Sequence, residues 1–265
     1  MIPVAMTIAG SDPSGGAGLQ ADLKVFQQWD VFGTAVVTLL TVQNTVGVRQ
    51  VQTCSANFVA AQLDAVLEDI PPAAAKTGAL GSSEIVNLVA ERAGEFSFPL
   101  VVDPVVVSKS RDRLIDDDGL EAVRRRLLPA ALIATPNAYE AEALTGIAVV
   151  DEPSMIRAAE AIAELGPRYV LLKGPEIADD APDVLFGEGC CRFFRAERIR
   201  TPHTHGSGCA FSAAIAAGLA RGMPVPDAVQ AAKEFVTEAI RRAPGLGKGR
   251  GPLDLNLRPT RRSAE

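Results

Sequence analysis

A glycine turn around residue 206 combines the features of an anion site with a cysteine thiol. Gly206, Ser207, Gly208 and Cys209 come directly before a run at 210–220 that is apolar nearly all round, which is typical of a buried helix. The free N–H groups and positive dipole end of a helix N-terminus favour phosphate. We expect both glycines to adopt positive φ and the helix terminus to lower the pKa of Cys209. Many helices begin after glycine, so the turn also fits a connection without a ligand.

Four polar side chains fall where predicted strands end or the next helix begins. Asp103 lies in an apolar run at 99–107, Lys173 ends the run at 169–174, and Asn137 and Glu140 follow a strand at 132–134. Because α/β folds place their sites at the carboxyl ends of strands, we expect these side chains to share one edge. Such an edge supplies the positioning and charge neutralisation of phosphoryl transfer, with Asp103 and Glu140 holding Mg²⁺ through water. Two simpler interpretations stay open: Glu140 caps a helix, and Lys173 extends its ammonium group to solvent.

Two further stretches could recognise a flat, polar ring. Gln43 follows the β-branched run at 34–42, and its carboxamide supplies a donor and an acceptor, the complement of an amidine-like edge. The glycine-rich turn at 10–18 follows a strand at 4–9 and matches neither the dinucleotide nor the phosphate-loop fingerprint. Its backbone could close over a neutral substrate. The alternatives are a solvated Gln43 and a tight turn without a ligand.

Composition argues against several classes of protein. The 265 residues carry a net charge of −6, and the densest basic cluster, at 124–126, fits a solvated helix face, so we expect no nucleic-acid partner. No apolar run approaches the ~20 residues that span a membrane, and we expect no signal peptide. The adjacent Cys190 and Cys191 cannot form an ordinary disulfide framework, which favours reduced thiols in the cytoplasm. His203 and His205 have a poor spacing for zinc.

Strands and helices alternate along the chain. Apolar runs predict strands at 4–9, 34–42, 73–78, 99–107, 132–134 and 169–174, and an antiparallel pair at 183–186 and 191–198. Helical patterns cover 19–29, 55–70, 83–93, 116–128, 154–165, 210–220 and 225–242. This alternation predicts an α/β fold in three αβα layers around a doubly wound, mostly parallel sheet. We expect one domain over 1–265, with a flexible tail from about 253.

Six motifs occur together in one order and spacing. They are Ala9-Gly10-Ser11-Asp12-Pro13-Ser14-Gly15-Gly16-Ala17-Gly18, Gln43-Asn44-Thr45, Lys76-Thr77-Gly78, Val102-Asp103-Pro104-Val105, Thr135-Pro136-Asn137 with Glu140, and His205-Gly206-Ser207-Gly208-Cys209. In this respect the chain resembles, over about residues 4–252, the hydroxymethylpyrimidine/phosphomethylpyrimidine kinases of thiamine biosynthesis. That family belongs to the ribokinase-like superfamily. Six motifs in register make the resemblance far more specific than one glycine turn.

The resemblance implies two successive phosphorylations that use ATP and Mg²⁺. The first acts on the hydroxymethyl group of 4-amino-5-hydroxymethyl-2-methylpyrimidine and the second on the resulting monophosphate. Cys209 would be the base, and a loose transition state asks little of it. The implied roles are catalysis for Cys209, Lys173, Gly206, Ser207 and Gly208; pyrimidine binding for Gly10, Asp12, Ala17, Val42, Gln43 and Ala79; nucleotide binding for Asn137, Lys173, Thr201, Gly206 and Gly208; and metal binding for Asp103 and Glu140. The family is usually dimeric, so we expect a homodimer.

The chain departs from the family pattern in three places. Pro175-Glu176 replaces Gly-His after Lys173-Gly174, the flap at 108–111 lacks its glycine, and Ala79 replaces a methionine. These changes concern the flap and the pocket shape rather than the reaction class. Three alternatives remain. They are a pyridoxal kinase, a nucleotide-binding regulator without turnover, and a ribokinase-type sugar kinase, which is disfavoured by Cys209 in place of aspartate and by the lack of a predicted strand lid near the N-terminus.

Overall fold

A nine-stranded sheet organises the residues that the computed structural model describes, namely 2–106, 115–174 and 180–257. Its strands, in chain order, are β1 (Val4–Ser11), β2 (Phe32–Asn44), β3 (Gly47–Thr53), β4 (Ala74–Thr77), β5 (Leu100–Val102), β6 (Ile133–Ala134), β7 (Tyr169–Lys173), β8 (Asp183–Gly187) and β9 (Cys190–Phe194). The helices are α1 (Gly18–Gln28), α2 (Ala56–Asp69), α3 (Ser83–Ala93), α4 (Asp117–Ala122), α5 (Ala138–Thr145), α6 (Glu152–Ala163), α7 (Ser207–Ala220) and α8 (Val225–Arg241). Helix α4 continues as a π-helical turn and a short 3₁₀ turn to residue 130.

The sheet is parallel in its centre and antiparallel at both edges. Its order is β3-β2-β1-β4-β5-β6-β7-β8-β9, and the strands from β2 to β7 all run parallel. Alternate residues of a strand face opposite sides, so Met6 and Ile8 pack towards α2–α6 whereas Ala5 packs towards α1, α7 and α8. The predicted three-layer, doubly wound fold is confirmed.

Helix α7 forms the centre of one outer layer. All of its residues from Ala210 to Ala220 are buried, against α1 on one side and α8 on the other. The predicted all-round apolar helix is therefore correct. Its N-terminus lies at the carboxyl edge of the parallel strands, because a Cβ at Gly208 would stand 3.4 Å from Nζ of Lys173, which ends β7, and 3.8 Å from Oδ2 of Asp103, which follows β5.

Two predictions about elements need correction, and a third cannot be compared with the described residues. Strand β3 is missing from the sequence-based prediction because all seven of its residues are exposed and no apolar face marks it. It pairs with the end of β2 as a hairpin, so the lack of a strand lid no longer counts against a sugar kinase. The expected flexible tail from about 253 does not hold for 253–257, because Leu253 and Leu255 are 3% and 5% exposed and pack into the core; the rest of that stretch lies outside the described residues. The predicted flap at 108–113 lies outside the described residues.

Candidate functional site

The N-terminus of α7 packs against the glycine-rich turn at 10–18. Gly206 is the N-cap, with φ 81°. A Cβ at Gly206 would stand 1.8 Å from the carbonyl oxygen of Gly16, so no larger residue fits. The Ser207 N–H donates to the carbonyl of Thr204 at 3.2 Å. The two glycine-rich stretches of the sequence therefore form one surface.

Gly208 lies inside α7, and it is not among the glycines with positive φ, which corrects the expectation for this residue. A Cβ at Gly208 would instead stand 3.4 Å from Lys173 Nζ and 3.8 Å from Asp103 Oδ2. The N–H groups of Gly208 and Cys209 have no backbone acceptor in the described part of the chain, as expected at a helix start. Because Gly208 has no side chain, the N–H groups of Gly208 and Cys209 stay accessible next to Lys173.

Asp103 and Lys173 form a buried ion pair beside the start of α7. Lys173 Nζ lies 3.1 Å from Asp103 Oδ1, and the lysine side chain is only 16% exposed. The hydroxyls of Thr135 and Ser212 donate to the two oxygens of Asp103, at 3.2 and 3.4 Å. Burial alone would lower the pKa of Lys173, but the carboxylates of Asp103 and Glu140 outweigh it and raise the pKa. Lys173 is therefore a held, charged ammonium group and not a surface lysine.

Asn137 and Glu140 form a capping box that starts α5. Asn137 Oδ1 accepts hydrogen bonds from the N–H groups of Tyr139 and Glu140, both at 2.9 Å. Glu140 Oε2 accepts the N–H of Asn137 at 2.8 Å. The capping interpretation of Glu140 is confirmed. These bonds use one oxygen of each side chain, so the amino group of Asn137 stays available for a ligand.

The carboxylates of Asp103 and Glu140 fit a hydrated magnesium ion. Both residues are 3% exposed. Burial raises the pKa of Glu140 to about 8, Lys173 opposes this, and Asp103 adds to it. A divalent cation held by Asp103 and Glu140 would favour the ionised form of Glu140 and so lower this pKa. The described residues contain no group of three or more ligating side chains, so Mg²⁺ would keep most of its waters.

Cys209 lies near the start of α7, and its surroundings raise the pKa of the thiol to about 11. Burial has the largest effect, Lys76 opposes it, and Asp22 and Asp103 add to it. The pKa is therefore raised and not lowered as expected, because burial outweighs the opposing effects of Lys76 and of the Gly18 N–H. The cysteine is a neutral thiol at pH 7, with thiolate in only ~1 molecule in 10⁴.

A second buried ion pair, between Asp22 and Lys76, acts electrostatically on Cys209 and is absent from the sequence-based prediction. Lys76 Nζ lies 3.1 Å from Asp22 Oδ2, and both side chains are fully buried. Thr7 Oγ1 donates to the same oxygen at 2.6 Å. Within the described residues, Asp22 Oδ1 has no hydrogen-bond partner. The signal in the sequence was a lysine inside an otherwise apolar strand, where only a buried partner makes the charge tolerable.

Asp12 holds the glycine-rich turn together and binds His205. Its carboxylate accepts the N–H and hydroxyl of Ser14 at 2.9 and 2.8 Å, and the N–H of Ala17 at 3.0 Å. His205 Nε2 lies 2.8 Å from Asp12 Oδ2. Burial alone would raise the pKa of Asp12, but the hydrogen bonds from His205 and Ser14 outweigh it and lower the pKa. Asp12 is therefore ionised, and His205 donates its Nε2 proton to it.

Gln43 approaches the same nitrogen of His205. Its Nε2 stands 3.3 Å from His205 Nε2. Because that ring nitrogen donates to Asp12, it cannot also accept from the Gln43 amide. The carboxamide of Gln43 is therefore free to turn to a ligand. Sequence reasoning missed His205, because only the fold brings it to Gln43.

The other predicted pyrimidine contacts lie on β1, on β2 and just after β4. Gly10 lacks a side chain because a Cβ would stand 2.5 Å from Leu39 Cδ1. The Ala79 carbonyl accepts the hydroxyl of Thr38 at 2.7 Å, and Val42 is 53% exposed on β2. Contact of these residues, and of Ala17, with a substrate stays a prediction.

A cleft of about 600 Å³ opens between α8 and the segment that leads to α7. Its lining includes Gly174, directly after Lys173, and Thr201, a predicted nucleotide contact. Lys233 and Asp183 form an ion pair of 2.8 Å on its wall, and Asp183 Oδ1 accepts the N–H of Gly174 at 3.1 Å. The cleft thus reaches the backbone that carries Lys173.

The described residues contain no helix that is long and apolar enough to cross a membrane. Cys54, Cys191 and Cys209 are free thiols.

Comparison with known proteins gives consistent matches over almost the whole chain. A family model described as phosphomethylpyrimidine kinase matches residues 12–254. A hydroxymethylpyrimidine/phosphomethylpyrimidine kinase of Synechococcus elongatus is 46% identical over 254 residues, which cover 95% of this chain and 97% of the relative.

Solved structures agree with this fold. The phosphomethylpyrimidine kinase of Clostridium difficile is 40% identical, with a TM-score of 0.81 over 90% of this chain and 99% of that one. The pyridoxal kinase of Bacillus subtilis, solved as an ADP complex, is 38% identical, with a TM-score of 0.88 over 96% of this chain and 97% of that one.

Proposed function

The chain belongs to the phosphomethylpyrimidine kinase family, and we propose that its site phosphorylates 4-amino-5-hydroxymethyl-2-methylpyrimidine and then the resulting monophosphate. ATP is the phosphoryl donor. The observation that carries the proposal is the start of α7, where the open N–H groups of Gly208 and Cys209 lie next to the ammonium group of Lys173. Donors arranged in this way stabilise a transferring phosphoryl group.

The nucleotide occupies the cleft beside α8, with its phosphates directed to the start of α7. Gly174 lines this cleft and its neighbour Lys173 reaches the α7 terminus, so one short segment connects the two parts of the site. The amide of Asn137 and the hydroxyl of Thr201 complete the nucleotide contacts. The Lys233–Asp183 pair fixes the N–H of Gly174 and through it orients Lys173.

Magnesium fits the carboxylates of Asp103 and Glu140, where it would neutralise charge on the nucleotide phosphates. Lys173 also neutralises charge on the nucleotide phosphates. Asp103 and Glu140 raise its pKa and so keep its ammonium group charged.

The acceptor lies between the glycine-rich turn and the hairpin of β2 and β3. The free carboxamide of Gln43 binds the aminopyrimidine edge, with its donor and acceptor matched to the ring nitrogen and the exocyclic amine. Asp12 and His205 fix the glycine-rich turn that covers the acceptor. Cys209 takes the hydroxyl proton as the small thiolate fraction, which a loose transition state permits.

A pyridoxal kinase is the second candidate, because the solved pyridoxal kinases of Bacillus subtilis and Staphylococcus aureus share this fold with TM-scores of 0.88 and 0.90. Values of kcat/KM for the pyrimidine alcohol and for pyridoxal, measured side by side, separate the two. We expect the pyrimidine to be preferred. A higher value for pyridoxal would reverse the assignment.

We also propose that the whole chain acts as one kinase domain in a cytoplasmic homodimer. The free thiols support a reducing compartment. The hairpin supports the dimer, because Val42, Val46, Val48 and Val51 are each at least 50% exposed and its strand β3 is an edge strand of the described sheet. Exposed apolar patches and open strand edges are typical of interfaces.

A ³¹P-NMR time course with ATP and the pyrimidine alcohol tests the reaction itself. We expect a monophosphate signal to rise first and a diphosphate signal to replace it, with one ADP formed at each step. ADP formation without a phosphorylated pyrimidine would contradict the proposal.

A further inference from the structure

A glycine-rich segment at 245–251, called here the strap, crosses from the β2–β3 hairpin to the turn before α7. It contacts Thr45 at the tip of the hairpin. A Cβ at Gly247 would stand 2.3 Å from Thr45 Oγ1, and one at Gly249 would stand 2.2 Å from the Thr45 carbonyl oxygen. The N–H of Arg250 donates to that carbonyl at 2.8 Å. Gly249 meets the backbone of Thr45 and Gly247 meets its side chain, so a larger residue at either position would collide with Thr45.

The other end of the strap binds both histidines. The N–H of Gly251 donates to His203 Nδ1 at 3.2 Å, and its carbonyl accepts the N–H of His205 at 3.1 Å. The backbone around Arg250 is therefore fixed from two directions, although its side chain is exposed. A guanidinium group on an anchored backbone loses less entropy when it binds a ligand.

Arg250 lines the cleft beside α8 together with Arg198, Arg200 and Lys233. Lys233 is paired with Asp183, and Arg198 and Arg200 each have a partner of their own. Among the described residues, no ion pair or side-chain hydrogen bond engages the guanidinium group of Arg250. Arg250 is thus an unpaired cation on the wall of the cleft. It directly precedes Gly251, whose carbonyl accepts the N–H of His205 in the turn before α7.

We infer that Arg250 binds the polyphosphate of the nucleotide, as a second cationic contact besides Lys173. This inference rests on the proposed function, because it takes the cleft to be the nucleotide site. The guanidinium fork suits phosphate oxygens, to which it donates two parallel hydrogen bonds. The strap thereby connects the nucleotide phosphates to the hairpin that carries Gln43.

The test is calorimetric binding of AMP-PCP and of adenosine to the full chain and to variants at two neighbouring cations. Arg250→Ala and Arg250→Gln should each raise the Kd of AMP-PCP about tenfold or more, because a charge-assisted contact is lost. The Kd of adenosine, which lacks phosphate, should change less than about twofold. Lys248→Ala is the matched control. It removes the same charge from the strap at a position outside the lining of the cleft, and should bind both ligands as the wild type does.

An unchanged Kd of AMP-PCP in both Arg250 variants, with native unfolding midpoints, would overturn the inference. So would an equal loss for AMP-PCP and adenosine, because the contact would then not be to phosphate. Failure of the wild type itself to bind AMP-PCP would instead overturn the proposed function, and the inference with it.

Discussion

Cys209 is a neutral thiol at physiological pH because burial raises its pKa to about 11. It lies next to the open amides of the α7 terminus, where the proposed function places the phosphoryl acceptor. At this pKa only a small fraction of Cys209 is thiolate at neutral pH, but that thiolate is a strong base. The rate of proton removal should therefore follow the thiolate fraction, which rises tenfold with each pH unit below the pKa.

We predict that kcat of the wild type rises by about tenfold per pH unit between pH 7 and pH 9. Cys209→Ala should lower kcat at pH 8 by about 100-fold or more and remove this slope. Steady-state rates across the pH range give both results, with Cys54→Ala as a control because Cys54 is another free, partly buried thiol. A flat profile together with a near-native rate in Cys209→Ala would make the thiol a bystander.

Gln43 is the residue that should recognise the pyrimidine. Gln43→Ala should raise KM for the pyrimidine alcohol about tenfold, since two hydrogen bonds are lost, and leave KM for ATP within about twofold. Gln50→Ala is the matched control, because Gln50 lies opposite Val42 on the exposed strand β3. Equal increases in both KM values would move Gln43 out of the acceptor pocket.

Residue types and strand ends were sufficient to predict Asp103, Lys173, Asn137 and Glu140 as neighbours, because parallel strands present their carboxyl ends at one edge. They were not sufficient for His205. It reaches Asp12 across 193 positions, and that contact depends on two glycine turns packing together. The direction in which the pKa of Cys209 shifts could not be predicted from the sequence either, because burial is a property of the folded state.

At the scale of the element, the Asp22–Lys76 pair connects α1 to β4 across 54 positions of the chain. Neither side chain is exposed, so each charge depends on the other. Removing one partner from a buried pair leaves an uncompensated charge, whereas replacing both with apolar residues is often neutral.

We predict that Asp22→Asn lowers the free energy of unfolding by about 3–5 kcal/mol, measured by urea denaturation. The double variant Asp22→Leu with Lys76→Met should recover most of this loss. Asp64→Asn is the control. It breaks the Arg92–Asp64 pair, whose side chains are 32% and 43% exposed, and should cost less than about 1 kcal/mol. Native stability in Asp22→Asn would show that Lys76 does not need its partner.

The predicted elements were most accurate where burial imposed a pattern. Strand β1 and helix α7 are apolar for most of their length, and both were predicted close to their observed bounds. Strand β3 has no buried residue, so no hydrophobic period could reveal it. The segment at 253–257 looks polar because only alternate residues, Leu253 and Leu255, enter the core.

At the scale of the whole molecule, the proposed homodimer would form through the exposed valines of the β2–β3 hairpin. Val48→Asp should convert the dimer to a monomer, because a charge buried in an apolar interface is costly. Light scattering after size-exclusion chromatography measures the mass. Val150→Asp is the control, since Val150 is 60% exposed in another part of the fold. A wild-type monomer, or a dimer unaffected by Val48→Asp, would contradict this interface.

The central claim is that the start of α7 holds the transferring phosphoryl group. The most direct measurement is a crystal structure with AMP-PCP and the pyrimidine alcohol bound together. We predict the terminal phosphate within hydrogen-bond distance of the N–H groups of Gly208 and Cys209 and of Lys173 Nζ, with the acceptor hydroxyl on its far side. A terminal phosphate bound away from this corner, with the acceptor in place, would contradict the claim.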